Sequence, residues 1–138
     1  MTDGKKNRLL DKLMKRAVQM AEDNAQLKAL VETVKRKLEE IGANEKLQNL
    51  INTVKLFIKM IKSYVSGDYN DLPKKSLILI LLALIYFIFP MDIIPDFIPV
   101  SGFIDDVSVL LWVYNSIQDD IAAFEEWQND QTTTINID

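Results

Sequence analysis

The chain has 138 residues, of which 49% are hydrophobic and 26% charged, so it is long enough for one domain with an apolar core. It contains no cysteine and no histidine. This excludes disulfides, thiolate nucleophiles, imidazole metal ligands and a serine–histidine catalytic pair.

The net charge of −4 hides a strong asymmetry along the chain. All 16 Lys and Arg lie between Lys5 and Lys75, together with ten acids up to Asp71, so this part carries +6. Ten acids and no base follow from Asp92 onward, which gives −10. The asymmetry indicates either an anionic partner or membrane for the basic half, or two halves of one bundle that attract each other.

The first predicted element is one helix over residues 8–41, which no Gly or Pro interrupts. Its apolar residues follow alternating steps of three and four, as on the seam of a coiled coil, with Asn24 at an a position. Leu9, Met14 and Leu30 widen this stripe, which favours a multi-helix bundle or a membrane surface over a two-stranded coiled coil. The seam comprises Leu10, Leu13, Ala17, Met20, Asn24, Leu27, Val31, Val34, Leu38 and Ile41.

A second amphipathic helix is predicted up to about Val65. Gly42 should end the first helix, Asn44 is suited to cap the second, and Gly67 should end it. Its apolar face comprises Leu47, Leu50, Ile51, Val54, Phe57, Ile58, Ile61 and Val65, with lysines away from the centre of that face.

The third helix differs in kind, because the 15 residues from Leu77 to Met91 carry no charge. Asp71 is its expected N-cap, with Pro73 in its first turn. A helix that is apolar on every side must be buried in protein or in lipid. At about 1.5 Å per residue the segment covers roughly 22 Å, which is less than the roughly 30 Å of a hydrocarbon core. We expect this helix to end near Phe89.

The segment from Pro90 to Gly102 should break the helical path, because it contains three prolines. It stays apolar, which is typical of a buried corner or a re-entrant turn. A fourth helix should begin between Ser101 and Asp105. Its predicted face comprises Val107, Leu110, Tyr114, Ile117, Ile121 and Phe124.

The stretch from Tyr86 to Asp106 resembles the signature of the YkvA-like family, small bacterial proteins built around a domain of unknown function. The chain departs from the family pattern at Phe89, where Ser is usual, and at Met91, where Ile is usual. The resemblance covers about 40 residues, from Leu72 to Leu111, and implies a membrane-associated helical hairpin in a bacterium but no particular reaction. The shared positions are Tyr86, Pro90, Asp92, Pro95, Asp96, Pro99, Gly102, Asp105 and Asp106.

One cluster of carboxylates, formed by Asp92, Asp96, Asp105 and Asp106, could carry chemistry. The favoured interpretation is structural, with these residues closing a turn and capping a helix. They are also candidate ligands of a divalent cation, because Mg²⁺, Mn²⁺ and Ca²⁺ take oxygen ligands. A catalytic role is the weakest interpretation, so no catalytic residue is predicted. No base is close in sequence, so any neutralising charge must come from an ion or from elsewhere in the fold.

We therefore predict an all-α, multi-helix fold: two amphipathic N-terminal helices, then an apolar helical hairpin broken by a proline-rich turn. The predicted regions are a basic amphipathic part (1–71), a YkvA-like hydrophobic hairpin (72–127) and a disordered polar tail (128–138).

The predicted function is that of a membrane-associated accessory or interaction protein, multi-pass or re-entrant, and not of an enzyme. We expect it in the bacterial inner membrane with a cytoplasmic N-terminus, and with Lys74 and Lys75 where the chain enters the lipid. The expected partners are the lipid membrane and a helical protein or second copy bound through residues 8–41, but not nucleic acid. The alternatives are a soluble bundle adaptor with Leu77–Phe89 as its core helix, and a cation-binding protein.

Overall fold

A computed structural model describes residues 2–43, 45–88 and 109–137, with side chains for 11–43, 45, 47–88 and 109–130. Residues 109–116 are helical and lead into the last helix through a turn at Ile117. Throughout these described ranges the regular structure is helical, which confirms the predicted all-α, multi-helix fold. The elements are α1 (Thr2–Ala21), α2 (Asn24–Ile41), a 3₁₀ turn (Glu45–Leu47), α3 (Gln48–Ser66), α4 (Lys74–Ile88) and α5 (Gln118–Ile137).

The predicted single helix over residues 8–41 is wrong, because the chain breaks between α1 and α2. Asp23 has an extended backbone (φ −127°, ψ 102°), and its carboxylate accepts hydrogen bonds from the N–H groups of Ala25 and Gln26 at 3.0 and 3.3 Å. Asn24 is thus the exposed first residue of α2 and not a seam position inside one helix. An unbroken helix of this length would extend about 50 Å. The break instead lets α1 and α2 both pack against α4 in a bundle.

The turns around α3 follow the predicted glycine signals. Gly42 ends α2 with a positive φ of 68°, and its N–H donates to the Leu38 carbonyl oxygen at 3.0 Å. Gly67 ends α3 in the left-handed conformation, with a φ of 83°. The predicted cap at Asn44 lies outside the described residues. The expected cap of α4 is wrong by two residues, because the Pro73 carbonyl, and not Asp71, accepts the first helical hydrogen bond, from Leu77 at 3.0 Å.

The apolar helix α4 lies at the centre of the bundle. α1, α2 and α3 all pack against it, and residues 79–87 are buried around its whole circumference. The requirement that every face be covered is therefore met by protein in the described structure. None of the described helices combines the length and the apolar character that a membrane crossing requires.

The C-terminal part of the described chain packs onto the same core. Leu110, Val113 and Ile117 are buried there, followed by Ile121 and Phe124 of α5. Four of these five were predicted, and Val113 was missed. The predicted disordered tail over 128–138 is also wrong, because α5 continues to Ile137. No Gly or Pro interrupts this stretch, and extending an anchored helix costs far less than starting one.

Candidate functional site

The motif that carries the family resemblance begins at the C-terminal end of α4. Tyr86 is 7% exposed and lies in the last turn of that helix. The motif residues from Pro90 to Asp106, including all four aspartates of the predicted cation cluster, lie outside the described residues. Within the described ranges, no three acidic side chains come together as a metal site. The role of the aspartates therefore stays a prediction.

A lysine from α2 binds the end of α4, immediately before the motif segment. The Lys37 ammonium donates hydrogen bonds to the carbonyl oxygens of Phe87 at 2.5 Å and of Ile88 at 3.3 Å. It also lies 5.0 Å from the centre of the Phe87 ring, within range of a cation–π interaction. The last carbonyls of a helix lack helical partners and carry its negative dipole end, so a cation is favourable there. This places one positive charge where the chain enters its aspartate-rich segment.

The sequence indicated that any charge neutralising the aspartates must come from an ion or from elsewhere in the fold, and it did not identify Lys37. Lys37 and Phe87 are 50 residues apart, so no local pattern connects them. A weak signal was present, because Lys37 follows Leu30 by seven residues and so lies on the same side of α2. A lysine on the apolar side of a helix indicates a specific partner for its charge, or a stem that reaches out to solvent.

The opposite end of α4 is tied to α5. The Ser76 side chain is buried, and its hydroxyl donates to the carboxylate of Asp120. That carboxylate lies at the first turn of α4, where the positive end of the helix dipole stabilises it. Beside it the rings of Tyr69, Phe124 and Trp127 pack together, with ring centroids 5.1 to 5.7 Å apart.

Tyr69 belongs to this cluster and is 3% exposed. Burial raises the pKa of its phenol, and the charges of Asp71 and Asp120 raise it further. The folded protein therefore holds this phenol in its protonated form.

The predicted membrane-entry lysines are both exposed. The Lys74 ammonium forms an ion pair with Glu22, next to the break between α1 and α2, at 3.0 Å. This contact ties the start of α4 to α1. Whether Lys74 and Lys75 also meet lipid stays a prediction.

An apolar pair is exposed on the helical segment 109–116. Leu111 is 54% exposed and Trp112 is 55% exposed, whereas most apolar residues around them are buried. Among the described residues, Val18 is the other large hydrophobic side chain with comparable exposure, at 40%. Two adjacent large apolar side chains are thus exposed to solvent, and we treat them as a candidate contact site.

The outer face of α3 carries one sign of charge. Lys55, Lys59 and Lys62 are exposed and follow one another by four and three residues, so they lie on one side of the helix. α3 contains no acidic residue over its 19 residues. Among the described residues none of the three lysines is seen in an ion pair. We call these three residues the lysine stripe.

The described fold is thus an α-helical bundle closed around one apolar helix, with polar contacts at both ends of that helix. The family model described as a protein of unknown function (DUF1232) matches residues 76–112, from the buried Ser76 to the exposed Trp112. The chain is also 38% identical over 72 residues to the uncharacterized membrane protein YkvA of Bacillus subtilis (strain 168), an alignment that covers 52% of this chain and 68% of that protein. The chain therefore belongs to the YkvA-like family, whose function is unknown. No solved structure matches it.

Proposed function

We propose that this protein is a membrane-associated accessory or interaction protein that contacts the bilayer surface through Leu111 and Trp112. The observation that carries the proposal is the exposure of these two side chains, each more than half accessible to solvent. The proposal is also supported by the Bacillus subtilis relative, which is named a membrane protein. The family has no assigned reaction, and we propose no catalytic residue.

Trp and Leu on an exposed helix suit the boundary between water and lipid. Trp is enriched at that boundary because its large ring is apolar while its N–H can still bond to headgroups or water. Asn115 and Ser116 are exposed one turn further along the segment and can stay in water. Residues 93–100, which precede the segment, contain Ile93, Ile94, Phe97, Ile98 and Val100 by sequence. If this stretch also meets the membrane, it would deepen the interfacial contact.

Surface contact is preferred here to a multi-pass insertion of α4. The faces of α4 are already covered by the rest of the bundle. Moving this helix into lipid would therefore bury little additional apolar surface. The end contacts made by Ser76 and Lys37 would also be lost if α4 left the bundle. Carbonate extraction of bacterial membranes tests this choice, since carbonate releases a surface-bound protein and leaves an inserted one in the pellet.

The main test is flotation of the purified protein with lipid vesicles. Burying the exposed halves of Leu111 and Trp112 is worth about 2 kcal/mol in total, or roughly 30-fold in partitioning. We expect Leu111→Gln with Trp112→Gln to lose about that much binding. Val18→Gln removes an exposed apolar side chain on α1 and serves as the matched control, with little expected effect. Wild-type protein that does not float, or a double variant that floats as well as wild type, contradicts the proposal.

We propose the cytoplasmic face of the inner membrane as its location. Every Lys and Arg precedes Ser76, and basic segments are retained on the cytoplasmic side and attracted to its anionic lipids. Protease added to intact spheroplasts should leave residues 5–62 uncut. Cleavage there from outside would contradict the orientation.

A second candidate function is that of a helical-bundle adaptor that binds another protein in solution. The burial of α4 by protein favours it, because such a bundle needs no lipid to cover its most apolar helix. The same flotation experiment separates the two candidates, since an adaptor of this kind stays at the bottom of the gradient.

A further inference from the structure

The bases of the chain are concentrated in its first 75 residues, and many of them are exposed in the described fold. Two ion pairs of the described residues, Lys35–Glu32 and Lys74–Glu22, both join residues of the basic half. Apart from Lys37, which binds the end of α4, several cations of the basic half face the solvent. The acids are unevenly distributed among these bases, and α3 carries exposed bases but no acid.

α1 and α2 both contain acids among their bases. On α1, Lys12 and Lys15 are exposed beside Asp11, and on α2, Lys28 is followed by Glu32, and Arg36 by Glu39. α1 as a whole is also positive, with six bases and two acids, but both helices place acids among their bases. The lysine stripe of α3 has three cations and no acid on its own helix.

The stripe is extended by a neighbouring helix. Lys35 of α2 approaches Lys62 closely enough that hydrogen bonding and charge repulsion between the two side chains lower the pKa of Lys62, with a smaller opposing effect from Glu32. Two like charges held together on an exposed surface create a positive potential that an anion relieves. The three stripe positions span about 10 Å along the helix. This is a surface suited to several small anionic groups in a plane.

We infer that the lysine stripe, Lys55, Lys59 and Lys62, is a docking surface for the anionic headgroups of a lipid bilayer. The inference rests on the proposed membrane association and adds the lipid class and the residues that select it. Basic side chains near an anionic membrane act additively through the surface potential. A protein partner would have to match the stripe with its own acids, and exposed ion pairs of that kind contribute little each. The observations therefore favour the membrane over an acidic protein face, such as that of α5 on a second copy.

The experiment compares vesicles of phosphatidylcholine alone with vesicles that also contain phosphatidylglycerol, in flotation at low salt. The stripe variant Lys55→Gln, Lys59→Gln, Lys62→Gln should bind the anionic vesicles on the order of 100-fold more weakly than wild type. The matched control, Lys12→Gln, Lys15→Gln, Lys28→Gln, removes the same charge from mixed faces. The control variant should lose several-fold less binding to the anionic vesicles than the stripe variant does.

Two further measurements test whether the loss of binding comes from the lost charge. The variant Lys55→Arg, Lys59→Arg, Lys62→Arg keeps the charges and should keep the binding, which guards against a folding defect in the Gln variant. Raising the salt to about 1 M shortens the screening length to about 3 Å and should bring wild type down to the stripe variant.

Different results would overturn the lipid-docking inference and the proposed function. Equal binding by the stripe and control variants overturns the lipid-docking inference while leaving the proposed function intact. Wild-type binding to neither vesicle type overturns the proposed function itself. Loss of a wild-type dimer in sedimentation, with vesicle binding unchanged in the stripe variant, overturns the inference and assigns the stripe to a second copy of the chain.

Discussion

Lys37→Met tests whether the ammonium group at the end of α4 stabilises the fold. Methionine keeps an unbranched apolar side chain and removes the charge. The carbonyl oxygens of Phe87 and Ile88, which now accept hydrogen bonds at 2.5 and 3.3 Å, would lose this donor. The negative end of the α4 dipole would lose its counter-charge.

The expected magnitude follows from these contacts. A hydrogen bond from a charged donor contributes about 1.5–3 kcal/mol, the helix-end charge about 0.3–1 kcal/mol, and a cation–π contact about 0.5–1 kcal/mol. One ammonium group makes all three contacts, so they do not add fully. Fixing a lysine side chain costs up to about 2 kcal/mol of rotamer entropy. We therefore expect Lys37→Met to lower the free energy of unfolding by about 2 kcal/mol.

Urea unfolding followed by circular dichroism measures this change. For a chain of this size, about 2 kcal/mol corresponds to a fall in melting temperature of roughly 6–10 °C. Lys28→Met, an exposed lysine on the same helix, should change the free energy of unfolding by less than about 0.5 kcal/mol. Lys37→Arg should retain most of the stability, since it keeps a cation. If Lys37→Met and Lys28→Met unfold at the same urea concentration, the ammonium does not stabilise α4 and the reasoning fails.

Three other perturbations have defined outcomes. Asp23→Ala should destabilise by about 0.5–2 kcal/mol in urea, whereas Asp23→Asn, which still caps, should cost a few tenths; equal losses would argue against the cap. Because burial raises the pKa of Tyr69, its contribution to stability is present below about pH 10 and is lost as the pH rises through the raised value. Unfolding midpoints between pH 8 and 11 should fall less steeply for Tyr69→Phe than for wild type, and parallel curves would contradict this. Asp92→Asn with Asp96→Asn should leave the circular dichroism spectrum unchanged and abolish any rise of the melting temperature with millimolar Mg²⁺, Mn²⁺ or Ca²⁺. If wild type itself shows no such rise, the cation hypothesis loses its support.

Periodicity predicted the buried faces well, because burial repeats with the helical turn. The break between α1 and α2 was missed because the apolar steps of three and four continue across it. A local signal was present: Asp23 is followed three residues later by Gln26, a spacing typical of a helix start. In the structure Asp23 accepts hydrogen bonds from both the backbone and the side chain of Gln26, at 3.3 and 3.0 Å. Capping chemistry thus decided a boundary that the apolar pattern alone did not mark.

The contacts at the two ends of α4 were beyond prediction for a different reason. Ser76 and Asp120 are 44 residues apart, and Lys37 and Phe87 are 50 apart. Pairing over such separations depends on how the helices are arranged, and a single sequence contains no direct record of that arrangement. The stripe on α3 could be predicted as a polar face, but only the fold shows that Lys35 approaches Lys62 across two helices.

The composition of α4 could not decide between lipid and protein, because both environments suit an apolar helix. The partners of α4 in the described bundle favour protein. Seven large, fully buried side chains of the other helices share its core: Phe57, Phe124, Leu27, Met60, Ile61, Val34 and Val54. If α4 moved into lipid, these side chains would lose part of their cover; full exposure costs about 1.5–3 kcal/mol each, so the upper limit of the loss is roughly 10–20 kcal/mol. That upper limit is comparable to the whole stability of an ordinary domain, about 5–15 kcal/mol. Attachment through exposed groups such as Trp112 and the lysine stripe leaves this core closed, so we expect membrane-bound protein to keep its bundle and to be released by carbonate.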